Sequence, residues 1–159
     1  MKLTEQSAIA SWPATHYVFL ERIGPFQETA PAAWQRVHAL AGALRQHNEI
    51  VGAMAQYKVG GQVYRAGFAL AAAPRHLPAG LRYELFHGGA FKRFIFTGPY
   101  SELPEASDRV WQIVTQQHLT LRDDFALENY INDPNLTPSE DLATEILIPV
   151  IESMCAASS

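Results

Sequence analysis

The sequence predicts an α+β fold: a tandem β-α-β-β repeat forming one mainly antiparallel sheet, with two helices on one face and a central cleft. Three observations predict it. The phrase "IGPFQETAPA" at 23–32 returns as "TGPYSELPEA" at 97–106. Each phrase follows a run rich in β-branched and aromatic residues, and each opens a stripe with helical spacing. Each helical stretch is then followed by two further strand-like runs.

The elements follow in order. Residues 1–15 read as a short lead-in closed by Pro13. "HYVFLERI", 16–23, reads as a strand ended by Gly24-Pro25, since Pro cannot donate to a sheet ladder and Gly permits a sharp exit. A helix is expected over about 29–46, where Trp34, Val37, Ala41 and Leu44 mark one face and Pro31 fits only near the first turn. "GAMAQYKV" reads as a strand, Gly60-Gly61 as a hairpin turn, and "QVYRAGFALAA" as the returning strand. "FKRFIFT", 91–97, is the next strand, broken by Gly98-Pro99. A second helix is expected over about 102–117, carrying Leu103, Ala106, Val110 and Ile113, with Ser101 as N-cap and Pro104 in the first turn. "FALENYIN", 125–132, reads as a strand. Thr137-Pro138-Ser139-Glu140 has capping-box spacing for one helical turn, and "TEILIPV", 144–150, is the last strand.

Sliding the sequence by 74 residues lays Gly24 on Gly98, Pro25 on Pro99, Phe26 on Tyr100 and Glu28 on Glu102. One residue of slippage lays Tyr57 on Tyr130. We therefore expect one domain over 1–159, with a first repeat at about 14–80, a second at about 81–151 and a polar tail at 152–159. Half a chain makes a marginal core alone. Two halves joined edge to edge share one sheet and leave a groove between their helices, the natural place for a ligand.

Composition narrows the function. Apolar residues make up 48% of the 159 and charged residues 18%, enough for a packed core. The formal net charge of −4 argues against direct nucleic-acid binding, which needs a basic surface. The single cysteine, Cys155, reads as an incidental surface thiol. His16, His38, His47, His76, His87 and His118 form no HxH, HxxxH or HExxH arrangement, so no metal site is expected. No cofactor is expected either: P-loop and GxGxxG signatures are missing, and no GxSxG marks a nucleophile elbow. The start "MKLTEQSAIASW" has no apolar signal region, and no apolar run approaches the ~20 residues of a membrane span. These features lead us to expect a cytoplasmic protein of bacterial type.

The segments "LERIGPFQETAPAAWQRV", "YRAGFAL", "FIFTGPYSELPEASDRVW", "LENYINDPN" and "TEILIPV" occur in the order seen in GyrI-like effector-binding domains. The chain resembles that family over roughly 14–151. The resemblance implies a free-standing version of the ligand-sensing module of AraC-type and MerR-type multidrug regulators, with a cleft for lipophilic, often cationic aromatic compounds. It also implies two other activities known in branches of the family: antagonism of DNA gyrase inhibition, and hydrolysis of cyclopropane-bearing alkylating toxins. DNA gyrase or a separate regulator are thereby candidate protein partners. Fifteen N-terminal residues cannot hold a helix-turn-helix, so the chain is not expected to act as a transcription factor by itself.

Glu128 is the leading site residue. Strand alternation places Ala126, Glu128, Tyr130 and Asn132 on one face. A carboxylate there is costly without a partner, burial favours its neutral form, and a bound cation reverses that balance. The resemblance implies the same residue as the partner of a ligand's charge. The plainer reading is a strand glutamate facing solvent or paired to an arginine. Tyr130 and Tyr57, one in each repeat, are either walls for a flat cation or ordinary sheet tyrosines. Phe26 and Tyr100, at the strand-to-helix corners, are either cleft lining or plugs under the helix starts. Trp34 and Trp111 lie on the helices, where core packing competes with a ligand-platform role, and Leu103 and Ile146 complete the expected lining. Glu28 and Glu102 suit the helix dipoles. If the chain is an enzyme, Glu128 is the acid-base group and Tyr130 orients the leaving oxygen. Three functions thus stand open: a binding module, a hydrolase of strained electrophilic xenobiotics, and a protein-interaction module.

Overall fold

The two Gly-Pro corners adopt the same geometry. Gly24 and Gly98 both hold a positive φ, 142° and 152°. Each donates its N–H to a carbonyl near the start of its half's last strand: Gly24 to Gln62 at 3.0 Å, Gly98 to Leu142 at 2.8 Å. Glycine is the residue that reaches this backbone region without strain.

Around these corners the computed structural model, which describes residues 1–151, shows eight strands and two α-helices. In chain order they are β1 (Lys2–Trp12), β2 (Thr15–Ile23), α1 (Phe26–Arg45), β3 (Ile50–Lys58), β4 (Val63–Leu70), β5 (Arg82–Phe86), β6 (Gly89–Thr97), α2 (Leu103–Gln116), β7 (Ala126–Tyr130) and β8 (Ala143–Pro149). The expected α+β class, the order β-α-β-β in each half and the single antiparallel sheet are all present. The tail at 152–159, with Cys155, lies outside the described residues. No helix among the described residues is long and apolar enough to cross a membrane.

Several local expectations are corrected. The lead-in is a full strand, β1, which pairs with β6 along a register from Lys2–Thr97 to Trp12–Gly89. Its polar side chains hide it because it is an edge strand with little to bury; an ion pair of 2.9 Å from Lys92 to Glu5 fastens it. A second unforeseen strand, β5, is the other edge and pairs with β2. Helix α1 starts at Phe26, so Pro31 falls in its second turn, where it withholds a donor from the exposed Gln27. Ser101 does not cap α2: residues Tyr100–Glu102 form a 3-10 turn leading into it, and no side chain caps either. Ser139–Asp141 also form a 3-10 turn without a side-chain cap, so the capping box is not made.

The strand order is β1-β6-β8-β7-β3-β4-β2-β5. Exchange β1 with β5, β2 with β6, β3 with β7 and β4 with β8, and the order reads the same backwards. The centre of this exchange is the β3–β7 pair, where Ala53 faces Tyr130, Ala55 faces Glu128 and Tyr57 faces Ala126.

The connections impose a strong curl. β1 and β2 are joined by Pro13-Ala14 alone, yet stand six strands apart, about 29 Å in a flat sheet. Trp12 to Thr15 spans at most about 11 Å. β5 and β6 are joined as tightly by His87-Gly88. Both ends of the sheet therefore bend toward each other until the two links touch; a Cβ on Gly88 would lie 2.0 Å from the Trp12 carbonyl oxygen. One face packs under the helices, against Ala33, Val37, Ala41 and Leu44 of α1 and Leu103, Ala106, Val110 and Val114 of α2. Val114, not Ile113, closes the second stripe. Among the described residues the opposite face carries no helix, and its curl encloses a second core of Tyr17, Phe19, Met54, Phe86, Phe91, Leu127 and Leu147. Buried Arg65 also lies on that face. Phe19 and Phe125 flank its guanidinium, each ring centre at 4.2 Å, and it donates to Glu21 at 2.9 Å and Glu84 at 3.2 Å.

Candidate functional site

The helices α1 and α2 cover the two halves of the sheet with little direct contact between them. Side chains from β3, β4, β7 and the inner helix flanks meet in the space between. Alternation along β7 brings Glu128 and Tyr130 to this face, beside Ile146 of β8, which pairs with Glu128 in register. The same alternation on β3 brings Tyr57.

Glu128 is half-buried at the centre. The Ser107 hydroxyl of α2 donates to its Oε2 at 3.0 Å, and the Tyr130 hydroxyl donates to its Oε1 at 2.9 Å. Among the described residues no Lys, Arg or His forms an ion pair with it. The plainer reading, a glutamate in open solvent or paired to arginine, is therefore set aside. Desolvation pushes the carboxyl above its ordinary pKa, and the two hydroxyl donors offset only part of that rise. The physical cause is the neighbourhood: rings and neutral donors solvate a carboxylate less well than water does.

The remaining predicted residues assemble around it. Trp111 donates its indole N–H to the Tyr57 hydroxyl at 3.1 Å. Trp34 donates to the Tyr64 hydroxyl at 2.8 Å, and its ring meets Tyr130 edge-on at 5.3 Å between centres. Phe26, the first residue of α1, stands edge-on to Tyr57 at 5.6 Å and tilts over Tyr64 at 5.8 Å. Tyr100 approaches Tyr130 at 5.3 Å. Leu103 and Ile146 are buried in the same core. All nine expected residues thus lie in or against one cluster. Burial raises the phenol pKa values of Tyr57, Tyr64 and Tyr130, and the Glu128 charge adds to each. These hydroxyls stay neutral: Tyr57 and Tyr64 accept from the two indoles, and Tyr130 donates to Glu128.

Three residues of the cluster escaped sequence reasoning. Ser107 sits one helical turn after Leu103 and one before Trp111, on the flank of the buried stripe. Tyr64 was legible from the hairpin register, which places it opposite Tyr57. Thr144 faces Tyr130 across the β7–β8 pair. Its hydroxyl and that of Tyr100 are buried without a partner among the described residues, both beside Tyr130.

The rings interlock across the space between the helices. A cavity of about 250 Å³ lies to one side, reached past Lys58, Leu121, Arg122 and Pro149, with Tyr57 and Trp111 in its wall. Glu128 does not line it. A second, of about 190 Å³, lies on the far side near Glu84, Phe86 and His87.

Known proteins share this fold. The structure superposes on the C-terminal domain of EcmrR with a TM-score of 0.76 at 17% identity, covering 94% of this chain and 99% of that one. It superposes on SAV2435 bound to tetraphenylphosphonium with a TM-score of 0.71 at 16% identity, covering 96% and 95%. A hydrolase from Listeria innocua matches with a TM-score of 0.58 at 12% identity, covering 91% of each. Identities this low establish a shared fold. No curated protein matches the chain by sequence. The model of the GyrI-like small molecule binding domain, however, matches residues 5–151, nearly the whole chain. The chain belongs to the GyrI-like small-molecule-binding family.

Proposed function

We propose that the protein binds a lipophilic, cationic aromatic small molecule between its two halves, for sensing or sequestration. One observation carries the proposal: a half-buried carboxyl, Glu128, held by two neutral hydroxyls, without a cationic side chain paired to it among the described residues, and ringed by aromatic residues. A cation seated there supplies the missing charge and opposes the rise that burial imposes on the carboxyl pKa. The faces of Tyr57, Tyr130 and Trp34 add attraction for that charge. SAV2435, of the same fold, was solved with a phosphonium of this class.

Thermal melting tests the reading, with wild type and Glu128→Gln challenged by cationic, neutral and anionic aromatic compounds. Ligand at 100 times its dissociation constant stabilises by about 2.7 kcal/mol. For a chain of this length that moves the midpoint by about 5–10 °C. The shift should appear with cations only and be largely lost in Glu128→Gln. If neutral aromatics shift both proteins as strongly, the carboxyl is not the determinant.

A hydrolytic reading rests on the same carboxyl. A raised pKa suits acid-base work, and the Tyr130 hydroxyl, which donates to Glu128, would turn from it to hold a leaving oxygen. Turnover of a strained electrophile, abolished in Glu128→Gln with the fold intact, is the result that would favour it.

A further inference from the structure

The register around Glu128 constrains the shape of the ligand as well as its charge. The exchange that maps one half onto the other pairs Ala55 with Glu128 and Tyr57 with Tyr130. The approximate twofold axis therefore passes between Ala55 and Glu128, and the two tyrosines lie two residues to either side of it. Along the strands that is about 7 Å each way, and about 14 Å from one tyrosine position to the other.

Each tyrosine is met by a tryptophan from the opposite half. Trp34 of the first half stands edge-on to Tyr130 of the second. Trp111 of the second half hydrogen-bonds Tyr57 of the first. The two helices place these tryptophans differently. The buried stripes correspond at a shift of 73 residues, Ala33 with Ala106 and Val37 with Val110. At that shift Trp34 corresponds to Ser107 and Trp111 to His38. The walls are thus built from non-equivalent positions, yet one Trp–Tyr wall stands on each side of the axis. The charge, by contrast, is not duplicated. Ala55 is buried and methyl-sized where a second carboxylate would face the first across neighbouring strands, a placement that like charges disfavour.

We infer that the site selects a monocation carrying two aromatic arms, one on each side of the charge, so that the cation meets Glu128 while the arms reach the Trp34–Tyr130 and Trp111–Tyr57 walls. The inference rests on the binding reading given above and adds a ligand geometry to it. The Tyr130 hydroxyl reaches Glu128 at 2.9 Å, and the backbone spacing of about 7 Å from the axis to each tyrosine position suits one aromatic ring on a short link. A cation with a single arm leaves one wall without a partner, whatever the length of that arm.

Two isomeric probes separate arm number from charge and apolar size: dibenzyldimethylammonium and (biphenyl-4-ylmethyl)trimethylammonium. They share one formula and one positive charge. Titration calorimetry on the wild-type protein should find the dibenzyl cation tighter by at least about fivefold, the scale of one additional aromatic pair. Equal affinities, or tighter binding of the biphenyl isomer, overturn the two-arm inference and leave the cation reading standing. If neither isomer binds, the cation reading falls and takes the inference with it. Trp34→Leu and Trp111→Leu, each checked for an intact fold by circular dichroism, supply a second readout. Each should weaken the dibenzyl cation, and a variant that leaves its affinity unchanged also overturns the inference.

Discussion

Replacing Gly88 with alanine tests the curl that brings the two halves together. Gly88 lies in the link between β5 and β6, where it crosses the link between β1 and β2. Its φ is +75°, a region that costs an L-residue roughly 1–2 kcal/mol. The added Cβ would lie 2.0 Å from the Trp12 carbonyl oxygen and 2.8 Å from that of Pro13. Both are backbone atoms, one at the end of β1 and one in the link that follows it, and cannot rotate away. Ordinary contact needs more than 1 Å of separation beyond the closer of these, which obliges the two links to move apart. Overpacking of this kind costs about 1–3 kcal/mol. Together the two terms predict a loss of about 2–5 kcal/mol, or a drop on the order of 10 °C in Tm for a chain of this length. Urea unfolding monitored by tryptophan fluorescence gives the value directly. Gly42→Ala is the control. It lies on the exposed side of α1, its Cβ would meet nothing within 4 Å, and the change should stabilise by about 0.5–1 kcal/mol. A Gly88→Ala variant within 1 kcal/mol of wild type would show that the links do not cross in contact, and the account of the enclosed second core would fail with it.

Other perturbations follow from the same structure. Glu128→Gln should gain stability over wild type as pH rises. The folded carboxyl is raised above its unfolded value, so its contribution is fully present below the unfolded pKa and is lost as pH climbs through the folded one. Denaturation curves from pH 4 to 8 would reveal the divergence, and a gap that widens toward acid pH would contradict it. Ser107→Ala removes one of the two hydroxyls that donate to Glu128 and should push the carboxyl pKa higher still, at a cost of about 1 kcal/mol at neutral pH; carboxyl-resolved NMR titration reads the shift. Arg65→Leu leaves Glu21 and Glu84 without their shared cation on the second face. It should cost about 2–3 kcal/mol in urea unfolding, the partial exposure of both carboxylates holding the loss below that of a fully buried pair.

What the sequence revealed was local. The Gly-Pro corners, both helical stripes and the alternation that turns Glu128 and Tyr130 to one face depend on neighbours within a few residues. The pairing of Tyr57 with Tyr130 was visible because the repeat kept both tyrosines. β1 and β5 were hidden because edge strands bury little and carry polar side chains, as in "KLTEQSAIASW" and "RYELF". The start of α1 was placed three residues late because Pro31 drew the boundary toward itself. The hydrogen bonds of Trp34 to Tyr64, Trp111 to Tyr57 and Ser107 to Glu128 join residues 21 to 54 positions apart, and no periodicity reports a contact of that kind. The enclosure of the second core was likewise invisible, because it follows from strand order at the ends of the sheet.

The crossed links have a consequence for how the molecule holds itself together. β1 belongs by sequence to the first half but completes the edge of the second, and β5 does the reverse. Each half thus donates its opening strand to the other, in the manner of two subunits that exchange an arm. A half severed in the segment between β4 and β5 keeps its helix but loses one edge strand, and its own displaced strand has nothing to pair with. Such a fragment regains its missing hydrogen bonds by embracing a partner. Two fragments cut in that segment should therefore reassemble on mixing, and a half produced alone should return as a pair of identical copies with reciprocally traded strands.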